Sequence, residues 1–215
     1  MQLTARRGVR RALLLALLPL TWFAGTGSAF AQTRPAVGDK YATIAGIQLG
    51  SVNLSDVVRR FGPAAIVTTG SGDDYEASVC YRVSGGVLAF LANNLGGVEH
   101  RLLGYRITET AATGHCAPIA NGRPEPSLDS AGLHLGLSSG EFDRLMHTPA
   151  IWRGASVGDD PFAAVRHSLA ARPRAWRSKT AAGGENIFFF RHVSVSGTFA
   201  DGVLVGFEVW ETEGP

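Results

Sequence analysis

Apolar and polar positions change rhythm several times along this chain, and each change marks an element. Gly46-Ile47-Gln48-Leu49-Gly50 alternates apolar with polar, and 86 residues further on Gly132-Leu133-His134-Leu135-Gly136 repeats the pattern. Alternation that short, closed by glycine, predicts a strand entering a turn. After each glycine the period lengthens. Asn53 with Asp56 three residues on, then Val57, Val58 and Phe61 ahead of Gly62-Pro63, predicts a capped amphipathic helix. Ser138 with Glu141, then Phe142, Leu145 and Met146 ahead of Pro149, predicts a second.

Behind the first helix come β-rich runs at 64–69, 75–83, 87–92 and 98–108. Ser84-Gly85-Gly86 and Asn93-Asn94-Leu95-Gly96-Gly97 separate them as hairpin punctuation. Leu103, Tyr105 and Ile107 share one face by period 2, as do Val205, Phe207 and Val209. A hairpin over 188–199, turning at Ala200-Asp201-Gly202, precedes the second set. The strand echoes lie 102 residues apart rather than 86, so the second half carries about 16 extra residues, near 160–179. There Asp160-Pro161 has N-cap and N1 character, Phe162, Val165 and Leu169 recur at helical spacing, and Arg172-Pro173 closes the run, which predicts an inserted helix followed by a basic loop. The expected fold class is therefore α+β: two tandem repeats at 46–110 and 131–215, each a short strand and helix followed by an antiparallel β meander. A Gly- and Pro-rich linker spans 111–130, a loosely held lead-in spans 32–45, and a helical insertion at about 160–179 sits in the second repeat.

At 215 residues and 45% hydrophobic content the chain can bury a core, which argues against disorder. Arg6, Arg7, Arg10 and Arg11 precede the apolar run 12–24, and Ala29-Phe30-Ala31 follows with small-x-small spacing. Residues 1–31 thus read as a signal peptide, with the mature chain starting at Gln32 and a periplasmic or secreted location. The leader leaves general and twin-arginine export both open. No other stretch has the roughly 18 apolar residues of a membrane span. Without the leader, 16 basic residues face 18 acidic ones, a net charge of −2 instead of +2. Nucleic acid is accordingly not an implied partner. In an exported chain the two cysteines, Cys80 and Cys116, pair as a structural disulfide worth about 4 kcal/mol on the chain-entropy model.

A helix entered through Leu-Gly-x-Ser and left through a Gly or Pro turn into an antiparallel sheet resembles the repeat of β-lactamase inhibitor proteins and of small outer-membrane assembly lipoproteins of the BamE type. The matching residues are Leu49, Gly50, Val57, Phe61 and Gly62, then Leu135, Gly136, Ser138, Glu141, Phe142, Met146 and Pro149, with His147 where the family has a turn glycine. The resemblance implies a protein that presents a sheet face and loops to another protein, with no catalytic residues.

The most pointed chemistry lies in the expected insertion, where no acid falls between Asp160 and Glu185. Arg166, Arg172, Arg174, Trp176, Arg177 and Lys179 are the candidate binding residues, because arginine and tryptophan combine contact area with fixed hydrogen-bond geometry. Gly154-Ala155-Ser156-Val157-Gly158 fits the nucleophile-elbow string, yet His192 and Asp201 follow in the wrong order and too little chain remains. Asp73-Asp74 and Asp159-Asp160 lack calcium-loop spacing, and the six histidines lack metal-pair spacing, so neither a metal nor a cofactor is implied. The leading expectation is an exported non-enzymatic binding or adaptor protein of the cell envelope. It would offer sheet faces and the basic insertion to a protein partner or an anionic envelope component. An inhibitor of an envelope hydrolase is the alternative, followed by a serine hydrolase using Ser156.

Overall fold

Both capping boxes form, and each opens a helix of eight residues. Asn53 N donates to Asp56 Oδ2 at 3.0 Å before α1 (Leu54–Phe61), and Ser138 N donates to Glu141 Oε2 at 2.9 Å before α2 (Ser139–Met146). These bonds satisfy backbone donors that a helix start otherwise leaves without partners. They hold the Asp56 carboxyl below its ordinary range, chiefly through the Asn53 backbone donor, and Glu141 likewise through Ser138. His147, at the end of α2, takes the left-handed conformation with φ 55°, the geometry for which a glycine is usual.

The computed structural model describes residues 36–109, 116–155, 163–177 and 186–214, of which 152–155, 163, 172–177, 186–190 and 214 are described by backbone alone. A small hairpin of β1 (Thr43–Ile44) and β2 (Ile47–Gln48) precedes α1. Then follow β3 (Val67–Thr69), β4 (Glu76–Val83), β5 (Gly86–Asn93), β6 (Gly104–Thr108) and β7 (Ala117–Pro118). After α2 come β8 (Trp152–Ala155), β9 (Ala163–Arg177), β10 (Asn186–Ala200) and β11 (Val203–Gly214). The larger sheet has nine strands in the order β3-β4-β5-β6-β11-β10-β9-β8, with β7 paired to β4 in parallel and every other pairing antiparallel.

This overturns the expected α+β fold of two tandem repeats. The chain is mostly β, and its large sheet runs without a break across the join of β6 to β11. Val57 and Phe61 of α1, Phe142 and Met146 of α2, and Tyr105 and Phe207 of the two central strands all belong to one buried cluster. Aromatic side chains tie it together. Phe61 stacks on Phe90 at 5.5 Å, Phe142 meets Phe199 edge-on at 5.4 Å, and Tyr105 meets Phe207 edge-on at 6.4 Å. The Tyr105 hydroxyl donates to Tyr41 O at 2.9 Å and lies 2.8 Å from Ser130 Oγ, so the middle of the sheet holds the segments before α1 and before α2.

The expected helical insertion is also corrected, because 163–177 is the strand β9. Val165, His167, Leu169 and Ala171 are buried while Arg166, Ser168 and Ala170 are exposed, a period of 2. Val165 and Leu169 satisfy helical and strand spacing alike, and His167 disguised the alternation by reading as polar. It is fully buried, with Nδ1 3.0 Å from Thr148 O and Nε2 3.0 Å from Asp143 Oδ1, so it behaves as a core residue whose polar atoms are matched. Pro173 sits where the β9–β10 register shifts, beyond the short pairing with β8, a place in a strand that tolerates a missing N–H. The lead-in expected to be loose is instead built into the core, since Tyr41, Ala42 and Ile44 are all buried. Among the described residues no helix is long and apolar enough to cross a membrane.

Candidate functional site

α1, α2 and the β1–β2 hairpin pack on one side of the sheet, against Val79, Phe90, Tyr105, Val195, Phe207 and Val209. The opposite side carries the alternate residues, and its centre is where β6 meets β11. There Arg106 pairs with Glu208 and Gly104 with Trp210 across the strands. Arg106 Nε contacts Glu208 Oε2, and Arg106 Nη2 reaches Glu76 Oε2 on β4 at 3.2 Å. The second Glu208 oxygen, Oε1, accepts from Trp210 Nε1. One carboxylate thus fixes both the guanidinium and the indole.

Gly104 is what lets the indole lie there. A Cβ at that position would fall 2.7 Å from Trp210 Cδ2 and 2.8 Å from Val209 O, so the ring rests directly on the β6 backbone. Burial opposes the Arg106 charge, but Glu208 and Glu76, acting through space and through hydrogen bonds, outweigh it and raise the guanidinium pKa. The four side chains are half-buried and held in one arrangement before anything touches them. Ser78 on β4, Thr108 on β6, and Ser194, Ser196 and Thr198 on β10 lie on the same face, while β5 adds Ala89 beside Arg106 and the fully buried Leu91 beside Gly104. Such a face offers two anchor residue types, tryptophan and arginine, in a setting that is part polar and part apolar.

The binding residues expected from sequence are placed differently. Arg166 is exposed on the open face, where its Nε donates to Ser196 Oγ at 3.1 Å, two strands from Trp210. Arg172, Arg174, Trp176 and Arg177 lie on β9 beyond its pairing with β8, against 186–191 of β10, and are described by backbone alone save their place in the ladder. Lys179, Ser156 and Asp159-Asp160 lie outside the described residues, as does the leader. His192 is exposed on β10 and Asp201 sits in the β10–β11 turn with φ 51°. Asp73 and Asp74 form an exposed turn in which Asp73 accepts from Asn94 Nδ2 at 3.3 Å.

Sequence reasoning passed over Trp210, Arg106, Glu208 and Glu76. A signal existed: the period-2 reading of 103–107 and 205–209 put Gly104, Arg106, Gly206 and Glu208 opposite the apolar residues. What it lacked was the pairing of β6 with β11, which brings an arginine and a carboxylate 102 positions apart into contact. The same reading misplaced Val205, which is half-buried, because the β10–β11 register shifts at Thr198/Phe199 and Leu204 takes the core position.

Cys80 and Cys116 are joined by a disulfide, which ties β7 to β4 beside this face. No family model, no curated protein and no solved structure matches this chain.

Proposed function

We propose that this is an exported, non-enzymatic binding protein or adaptor of the cell envelope that holds a protein partner against the open face of its sheet, with Trp210 and Arg106 as anchors. The observation that carries this reading is the fixed Glu76–Arg106–Glu208–Trp210 constellation on a sheet face that no described helix covers. A tryptophan on a protein surface exposes apolar area to water. Here a glycine and a hydrogen bond hold it in place, so little side-chain freedom is lost when a partner covers it. The Cys80–Cys116 disulfide supports the exported location, since such bonds persist in oxidising compartments.

A photo-crosslinking residue placed at Ser194 or Thr212 on the open face, in intact cells, tests the proposal. The expected result is one discrete adduct from both positions, absent when the crosslinker sits at Ser55 on exposed α1 and diminished by Trp210→Ala. Equal labelling from Ser55, or adducts indifferent to Trp210→Ala, would remove the open face as the binding surface.

A further inference from the structure

Beyond the open face, a second site is built on the segment that the disulfide pins. A cleft of about 320 Å³ opens at the end of β4, lined by Arg82, Ile119, Asn121, Arg123 and Glu125 among others. Its outer wall is a turn of the chain that is tied down at several points. The disulfide anchors Cys116 to Cys80, Ala117 and Pro118 pair with Tyr81 and Arg82, and Ala120 N donates to Phe61 O at 2.9 Å. Arg123 N donates to Ala120 O at 3.0 Å, and Ser84 N donates to Glu125 Oε1 from the tip of the β4–β5 hairpin. Ala120 also packs so closely on the end of α1 that a Cβ on Gly62 would sit 2.4 Å from its own Cβ. The wall is therefore set before any ligand arrives.

Two guanidinium groups, those of Arg82 and Arg123, line this cleft. Arg82 and Arg123 are both exposed, and neither pairs with an acid among the described residues. The one carboxylate in the lining, Glu125, accepts from Ser84 N and keeps its charge, so the charged side chains of the lining sum to +1 and favour an anion in the cleft. Guanidinium groups match flat, two-oxygen acceptors in a bidentate manner.

We propose that this cleft binds a small oxyanion, a phosphate or a carboxylate, held by Arg82 and Arg123. The test is a backbone-amide NMR titration of the oxidised protein with inorganic phosphate and, separately, with succinate, at ionic strength held constant with sodium chloride. The expected result is a saturable shift confined to the residues around Arg82 and the 119–125 turn. Arg82→Gln and Arg123→Gln should each weaken binding at least tenfold without moving the melting temperature of the unliganded protein, whereas Arg144→Gln on exposed α2 should leave it intact. Saturation by phosphate alone assigns a phosphate group, by succinate alone a carboxylate group, and by both a general oxyanion site. Shifts that never saturate, that spread over the whole surface, or that fall equally with Arg144→Gln overturn the proposal.

Discussion

Replacing Gly104 by alanine adds one methyl group where Trp210 already lies. The new Cβ would stand 2.7 and 2.8 Å from two indole carbons, against an optimum of about 3.5–4.0 Å between carbons, so the ring has to retreat by close to 1 Å. It would also stand 2.8 Å from Val209 O, a backbone atom that moves only if the β6–β11 pairing opens. Gly104 does not occupy a left-handed conformation, so the substitution brings no backbone strain and the clash acts alone. Overpacking of this kind costs about 1–3 kcal/mol. Alanine recovers about 0.5–1 kcal/mol over glycine within a strand, leaving a net loss of up to about 2.5 kcal/mol. For a chain of this size that lowers the melting temperature by up to about 10 °C. Denaturant unfolding reports the free energy, and fluorine NMR of protein labelled with 5-fluorotryptophan reports the Trp210 environment separately from the other tryptophans. The expected outcome is reduced stability with a displaced Trp210 resonance, together with weaker open-face crosslinking. A Gly104→Ala protein as stable as the parent, with the Trp210 resonance unmoved, refutes the placement of the indole and with it the anchor role.

Glu211→Gln removes one of the carboxylates that face the buried Arg191 guanidinium, Asp39 Oδ1 at 3.4 Å being another, and unfolding titrations should show a loss of about 1.5–3 kcal/mol; an unchanged unfolding free energy contradicts the contact. Tyr81, fully buried with its hydroxyl donating to Gly62 O at 2.7 Å, has its pKa pushed up to about 12 by burial. The folded state then keeps the proton that the unfolded chain releases above its ordinary value of 10.0, so stability is intact below pH 10 and falls from pH 10 to 12; Tyr81→Phe should flatten that part of the pH profile. For Asp56 the sign is reversed: its lowered pKa means that the capping box stabilises α1 above the ordinary carboxylate value of 3.8 and that this contribution is lost as pH falls below it, visible as fraying of α1 amides in hydrogen exchange, an effect absent in Asp56→Asn. Replacing both Cys80 and Cys116 by serine should lower stability by up to about 4 kcal/mol, and an unchanged unfolding midpoint would show that the 36-residue loop is held without the bond.

The parts of this structure legible in the sequence are those decided by neighbours along the chain. Both helices begin where a capping residue stands three positions before an acid, because that bond closes within a single turn. The hairpin punctuation at Ser84-Gly85-Gly86 and Ala200-Asp201-Gly202 likewise falls at real turns, where Gly85 and Gly202 take φ of 84° and 78°. At 163–177 local signals were balanced, since Val165 and Leu169 suit a helix or a strand. Only the ladder to β10, with His167 satisfied by Asp143 and Thr148, tipped the segment to β.

What the sequence by itself determined, then, is where the chain turns, where two short helices start and that Tyr105, Ile107, Phe207 and Val209 face inward, for these rest on φ preferences, capping and side-chain alternation over a few residues. Only the tertiary structure decided that one nine-stranded sheet and one buried cluster join both halves of the described residues, and that Arg106 meets Glu208 while Trp210 lies on Gly104. Strand partners are chosen by the burial that pairing achieves between segments about a hundred residues apart, and no local preference records which edge a strand will join.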